Sequence, residues 1–122
     1  MKGGTKMGQT PFDVNVSHDG TTDIVTVRGE VDLVTAPLLR DAFSGLGTRI
    51  VADLRQVSFM DSSGLAVLIE QKTQMNGGQL RIGADSPPVL RLFELSGLTD
   101  VLDPGPDLAL PSRKTPPKSK AS

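Results

Sequence analysis

The chain has no cysteine, no tryptophan and no tyrosine, and it has only one histidine and four phenylalanines. Without cysteine there is no disulfide framework, no thiol nucleophile and no thiolate metal site. That absence suits a reducing cytoplasm, which is the expected location. Four Phe leave no platform on which bases or sugars could stack, so the core has to be aliphatic. A dominant charge sign is missing too. The formal net charge is −1 with both signs interspersed, which lacks the basic footprint of a nucleic-acid-binding domain. No apolar run approaches the roughly 18 residues of a membrane span. The opening MKGGTKMGQTP carries two lysines but not the apolar segment of a signal peptide. Residues 1–11 therefore read as a disordered lead, and neither a membrane nor a nucleic acid is expected as a partner.

What remains is 122 residues with 37% apolar content, enough for a single modest core. Phe12 to Ser17 alternate apolar and polar residues with the period of a half-buried strand. His18-Asp19-Gly20 supplies turn chemistry, and Ile24 to Arg28 resumes with β-formers, which predicts an antiparallel hairpin. Thr35 is a credible N-cap, with Pro37 tolerated in the first turn of the helix that follows. Leu39, Ala42, Phe43 and Leu46 place an apolar stripe on that helix. Ile50 to Leu54 reads as a short buried strand. LAVLI, residues 65–69, has a strand-like composition, but EQKTQM after it favours a helix, with Asn76-Gly77-Gly78 as its stop. Leu80 to Ile82 is a further strand. Ser86-Pro87-Pro88 opens a third helix that carries Val89, Leu92 and Phe93 on one face and ends at Gly97.

Strands alternating with helices imply βαβ crossovers and a largely parallel sheet. The expectation is an α/β domain over residues 12–102. After Leu102 the composition breaks: residues 103–122 hold five of the nine prolines and little apolar periodicity. They read as a disordered, basic, proline-rich tail. Arg113, Lys114, Lys118 and Lys120 are too few, and not aligned on a helix, to mark a nucleic-acid or membrane contact.

The stretch SFMDSSGLAVLIEQK, residues 58–72, admits three readings. Asp61 or Ser62 can cap the helix, because a side-chain oxygen there accepts from unpaired backbone N–H groups. Gly64 costs a helix about 1 kcal/mol relative to Ala, so its place in the first turn wants a reason such as a close approach. Ser62 as a hydrolase nucleophile needs a base. The only histidine is His18, in the predicted hairpin turn, and Lys72 lies nearly three helical turns on. The third reading is modification. A phosphate at an exposed helix N-terminus adds roughly −1.5 to −2 charges where the helix dipole accepts them and a docked partner does not.

GEVD (29–32), TA (35–36), SFMDSSGLAVLI (58–69), GGQLRI (77–82) and SPPVLRLFELSGL (86–98) occur in this order and spacing. Together they resemble the STAS-domain anti-sigma factor antagonists of bacteria, over about residues 12 to 102. The resemblance implies the STAS fold: a four- to five-stranded mixed sheet with an N-terminal antiparallel hairpin and helices packed mainly on one face. It implies a binding module and not an enzyme, with no cofactor. Unphosphorylated, it would hold an anti-sigma factor that is also a serine kinase, and so free a sigma factor in stress-response transcription. Phosphorylation at Ser62 would end the hold, and a serine phosphatase would restore it. The implied docking face comprises Glu30, Asp32, Asp61, Ser62, Ser63, Gly64 and Leu65. The alternatives are a structural STAS subunit of a transport or stress-signalling assembly, and a serine hydrolase using Ser62.

Other features have structural explanations. Asp13, Asp19, Asp23, Asp53, Asp61 and Asp85 fall at strand ends and turns, where Asp bonds to backbone, and no metal-ligand spacing is present. Gly77-Gly78 precedes a strand, unlike a phosphate-binding loop. Leu65, Leu68 and Ile69 are expected in the core. Ala66 and Val67 extend the apolar surface of the same helix into a candidate contact patch.

Overall fold

A computed structural model describes residues 12–75 and 78–102. Strand β1 (Phe12–Asp19) turns into β2 (Thr22–Val31), followed by α1 (Ala36–Ala42), β3 (Arg49–Met60), α2 (Ser62–Gln74), β4 (Gln79–Gly83) and α3 (Pro87–Leu95), then a short 3-10 turn at Thr99–Val101. The lead 1–11, the tail 103–122 and the Asn76-Gly77 part of the expected helix stop lie outside the described residues.

The sheet runs β1-β2-β3-β4. The first pair is antiparallel from Phe12↔Gly29 to Asp19↔Thr22, and the other two pairs are parallel. A parallel bridge from Ile82 to Leu102 begins a fifth position. Because strand order advances in one direction, two right-handed crossovers place α1 and α2 on the same face. Val25 and Val27 of β2, Ile50, Ala52 and Leu54 of β3, and Ile82 of β4 meet Leu39, Leu68 and Phe93 there in one aliphatic core. Phe93 is its largest fully buried side chain, as the shortage of aromatics requires.

β3 is more than twice as long as the expected run. It pairs with β4 only from Arg49 to Asp53, while its second half stays paired with β2 from Gln56 to Met60. α3 packs there, and Ser86 Oγ donates to the Val57 carbonyl at 2.6 Å. This length carries β3 to Met60, level with Val31 at the end of β2, and so fixes where α2 begins.

On the opposite face, Ile24 and Val51 form a small buried pair. Asp53, nearly buried, is held by Arg55 through Nε–Oδ1 at 2.9 Å and Nη2–Oδ2 at 3.0 Å. Such a bidentate, charge-assisted pair is what a buried carboxylate requires. Asp13 pairs with Arg28.

Asp23 ties the hairpin to the loop before β3. It accepts from Gly47 N–H at 2.7 Å and lies 2.5 Å from His18 Nδ1. The Gly47 bond first, and His18 second, hold its pKa below the ordinary 3.8. A carboxyl whose folded pKa is depressed stabilises the fold above its unfolded pKa, and loses that contribution as pH falls through the folded value. Melting wild type and Asp23→Asn between about pH 2 and 7 is therefore expected to show a wild-type advantage at neutral pH. That advantage should shrink below the ordinary 3.8; parallel profiles would contradict the assignment.

Candidate functional site

The site is built where β2 and β3 end side by side. Val31 is paired with Met60, and the Val31 carbonyl accepts from Asp61 N–H at 3.0 Å. The chain leaves β2 into residues 32–35 and leaves β3 into α2, so the two exits share one end of the sheet.

Asp61 is the cap of α2. Its backbone is extended and its Oδ1 accepts from Ser63 N–H at 2.8 Å. Of the two capping candidates, Asp61 takes the role and Ser62 does not. Ser62 is the first helical residue, and its exposed hydroxyl makes no hydrogen bond among the described residues. Ser63 is half-buried.

Gly64 answers the question its helix position raised. A Cβ there would stand 2.5 Å from Val31 Cγ1 and 2.9 Å from Met60 Cγ. The close approach comes from side chains below, and it lets α2 start directly on the strand ends. Gly64 is buried and Leu65 is only 7% exposed; both shape the face from beneath. Val67 is in the core while Ala66 is exposed, which divides the apolar patch expected of that pair.

The loop after β2 is closed on itself. Asp32 Oδ1 accepts from Val34 N–H and Thr35 N–H at 3.0 Å each. Thr35 Oγ1 accepts from Asp32 N–H at 2.9 Å and reaches the Glu30 carbonyl at 3.2 Å. Thr35 holds the N-cap position of α1, as expected, but its side chain makes no capping bond; Asp32 accepts from the backbone N–H groups one turn earlier. Asp32 Oδ1 is thus occupied within the loop. Glu30, half-buried beside Phe59, has no side-chain partner among the described residues. Sequence reasoning passed over two residues here. Leu33 is 75% exposed and Val34 77% exposed. An apolar pair directly after a capping Asp was the available signal.

The hydrolase geometry is not assembled. His18 is at the far end of the sheet, where Asp23 pairs with Ile50. The strand from Ile50 to Met60 spans about 30 Å at roughly 3.3 Å per residue. Lys72 lies about 15 Å along the helix at roughly 1.5 Å per residue, and its Nζ donates to the Leu80 carbonyl.

A family model described as Mlab, STAS domain, matches residues 14–104. An anti-sigma-B factor antagonist of Bacillus subtilis is 33% identical over 97 residues, covering 75% of this chain and 89% of that protein. The chain belongs to the STAS-domain family of anti-sigma factor antagonists. An anti-sigma F factor antagonist of Paenibacillus polymyxa is 32% identical over 98 residues, with 75% and 84% covered. Among solved structures, an anti-sigma factor antagonist from Mycobacterium paratuberculosis superposes with a TM-score of 0.71 at 28% identity, covering 75% of this chain and 83% of that one. Unphosphorylated SpoIIAA shares the STAS fold at a TM-score of 0.67 and 23% identity, covering 78% of this chain and 90% of that one. The mixed sheet with its leading hairpin and one-sided helices is therefore the STAS architecture. Among the described residues of this STAS domain, no helix is long and apolar enough to cross a membrane.

Proposed function

We propose that this STAS domain is an anti-sigma factor antagonist acting by partner switching. Unphosphorylated, it binds an anti-sigma factor and frees a sigma factor; phosphorylated on Ser62 by that same partner, it lets go. The observation that carries this reading is the Ser62 hydroxyl, exposed at the start of α2, while Asp61 does the capping. A hydroxyl with no structural duty is free to be modified. The docking face comprises Glu30, Asp32, Asp61, Ser62 and Ser63 at the surface, with Gly64 and Leu65 as its support. The domain does no chemistry of its own. The partner brings ATP and the kinase, a serine phosphatase resets the switch, and the cycle belongs in the cytoplasm with the sigma factor.

Phosphopeptide mapping after incubation with the purified anti-sigma kinase tests the assignment. The expected result is phosphate on Ser62 alone; Ser63 is half-buried and its N–H is engaged by Asp61. Phosphate on Ser63 in the wild-type chain would overturn it. A structural role in a transport assembly is separated by co-purification, which would recover transporter subunits in place of a kinase.

A further inference from the structure

We infer that Leu33 and Val34 are the apolar contact by which this chain grips and selects its anti-sigma partner, seated in an apolar recess at the rim of the partner's phosphorylating site. The inference rests on the partner-switching reading and adds to it the residues that carry affinity.

The first argument is exposure held in place. Leu33 and Val34 are 75% and 77% exposed, and Leu38, one turn into α1, is 51% exposed. A mobile loop could fold such side chains inward. This loop is held by five hydrogen bonds: Val34 and Thr35 donate to Asp32 Oδ1, Ala36 N–H donates to the Asp32 carbonyl, and Thr35 Oγ1 bonds both Asp32 N–H and the Glu30 carbonyl. Two large apolar side chains are thereby displayed to water on a rigid frame. Ordering a loop on binding costs free energy, and a preformed loop has met that cost in advance.

The second argument is position. The Asp61–Val31 hydrogen bond sets the two chain exits side by side, and Gly64 rests on Val31. Consecutive Cα atoms are about 3.8 Å apart, so Leu33 lies within roughly 16 Å of Ser62. A standard interface of about 800 Å² per partner covers both. Any kinase that takes the Ser62 hydroxyl into its active site therefore meets Leu33 and Val34 at the rim. Two charged groups nearby each spend a carboxylate oxygen on a backbone cap, Asp61 on α2 and Asp32 on its own loop, while Glu30 is half-buried beside Phe59. The large, mostly exposed side chains on this side are Leu33 and Val34, and the complement of such a contact is an apolar recess.

The test is titration of Leu33→Ser/Val34→Ser against the purified anti-sigma kinase used for mapping, beside the conservative pair Leu33→Met/Val34→Ile. The serine pair is expected to bind at least about tenfold more weakly, mainly through faster dissociation. Its salt dependence should match wild type, and Ser62 should still be phosphorylated at saturating kinase with a raised KM and unchanged kcat. The conservative pair should bind like wild type. Both variants should melt with wild type, because the replaced side chains face water. Equal affinity of the serine pair, or a fall of several degrees in its melting temperature, would overturn the inference. Wild type and serine pair binding equally while phosphate on Ser62 still abolishes binding would leave the switch intact and reject this contact alone. Failure of the wild-type chain to bind would reject the switch reading and this inference with it.

Discussion

Phosphate on Ser62 is expected to weaken binding to the anti-sigma partner by about a hundredfold or more, Ser62→Asp by about tenfold, and Ser62→Ala hardly at all. An unpaired or like-charged group at an interface costs several kcal/mol, and each 1.4 kcal/mol is about tenfold in affinity. A phosphoserine brings roughly −1.5 to −2 charges and three acceptor oxygens, against a single charge for Asp. The fold itself tolerates the group. The N-terminus of α2 favours negative charge by about 0.3–1 kcal/mol, while the Asp61 carboxylate beside it opposes. The net effect on stability is small, and the effect on a docked surface is large. Ser62→Ala removes a hydroxyl without a partner among the described residues, and the cap stays with Asp61, so melting temperature should not move. Raising salt should restore binding of the phosphorylated form only in part, because screening reaches charge but not the bulk of the phosphate. Calorimetric titration of the four forms with the anti-sigma kinase decides the matter. Equal affinity of unmodified and phosphorylated protein would reduce Ser62 to an ordinary surface serine.

Much of this arrangement was legible before any coordinates. Alternation in Phe12–Ser17, the stripe on Leu39 and Phe43, and the helix-compatible run after Leu65 each express a local period, and local periods survive folding. The length of β3 was not legible. Residues 55–60, RQVSFM, do not alternate: Val57 and Met60 are buried three residues apart, and the pairing with β2 that makes them a strand shifts register twice. That Thr35 takes the N-cap position without a side-chain capping bond was hidden for a related reason. Both Asp32 and Thr35 are capping residues, and only the folded loop decides that Asp32 caps while Thr35 braces the Glu30 carbonyl. At the site, the start of a helix at DSSG could be read from its capping residues. The engaged state of Asp32 and the outward pose of Leu33 and Val34 could not, because side-chain direction in a closed loop follows from its hydrogen bonds.

The support beneath the site makes the sharpest stability prediction. Gly64→Ala should destabilise the domain even though alanine is the better helix former. The gain in helix propensity is at most about 1 kcal/mol. Against it, the new methyl would stand 2.5 Å from Val31 Cγ1 and 2.9 Å from Met60 Cγ. Overpacking of this kind typically costs about 1–3 kcal/mol. Val31 has little room to give way, being fully buried at the end of β2 with its carbonyl bonded to Asp61 N–H. A net loss of about 1–2 kcal/mol lowers the melting temperature by roughly 5–15 °C in a domain of this size. Val31→Ala alone should also destabilise, because it leaves a cavity. The double variant should recover part of both losses, since the methyl introduced by Gly64→Ala would enter the space that the Val31 methyls leave. The double-mutant cycle should show a favourable coupling of about 1 kcal/mol or more, as contacting residues do. Additive losses would mean that Gly64 and Val31 do not share that space, and that α2 is seated on the strand ends by something else.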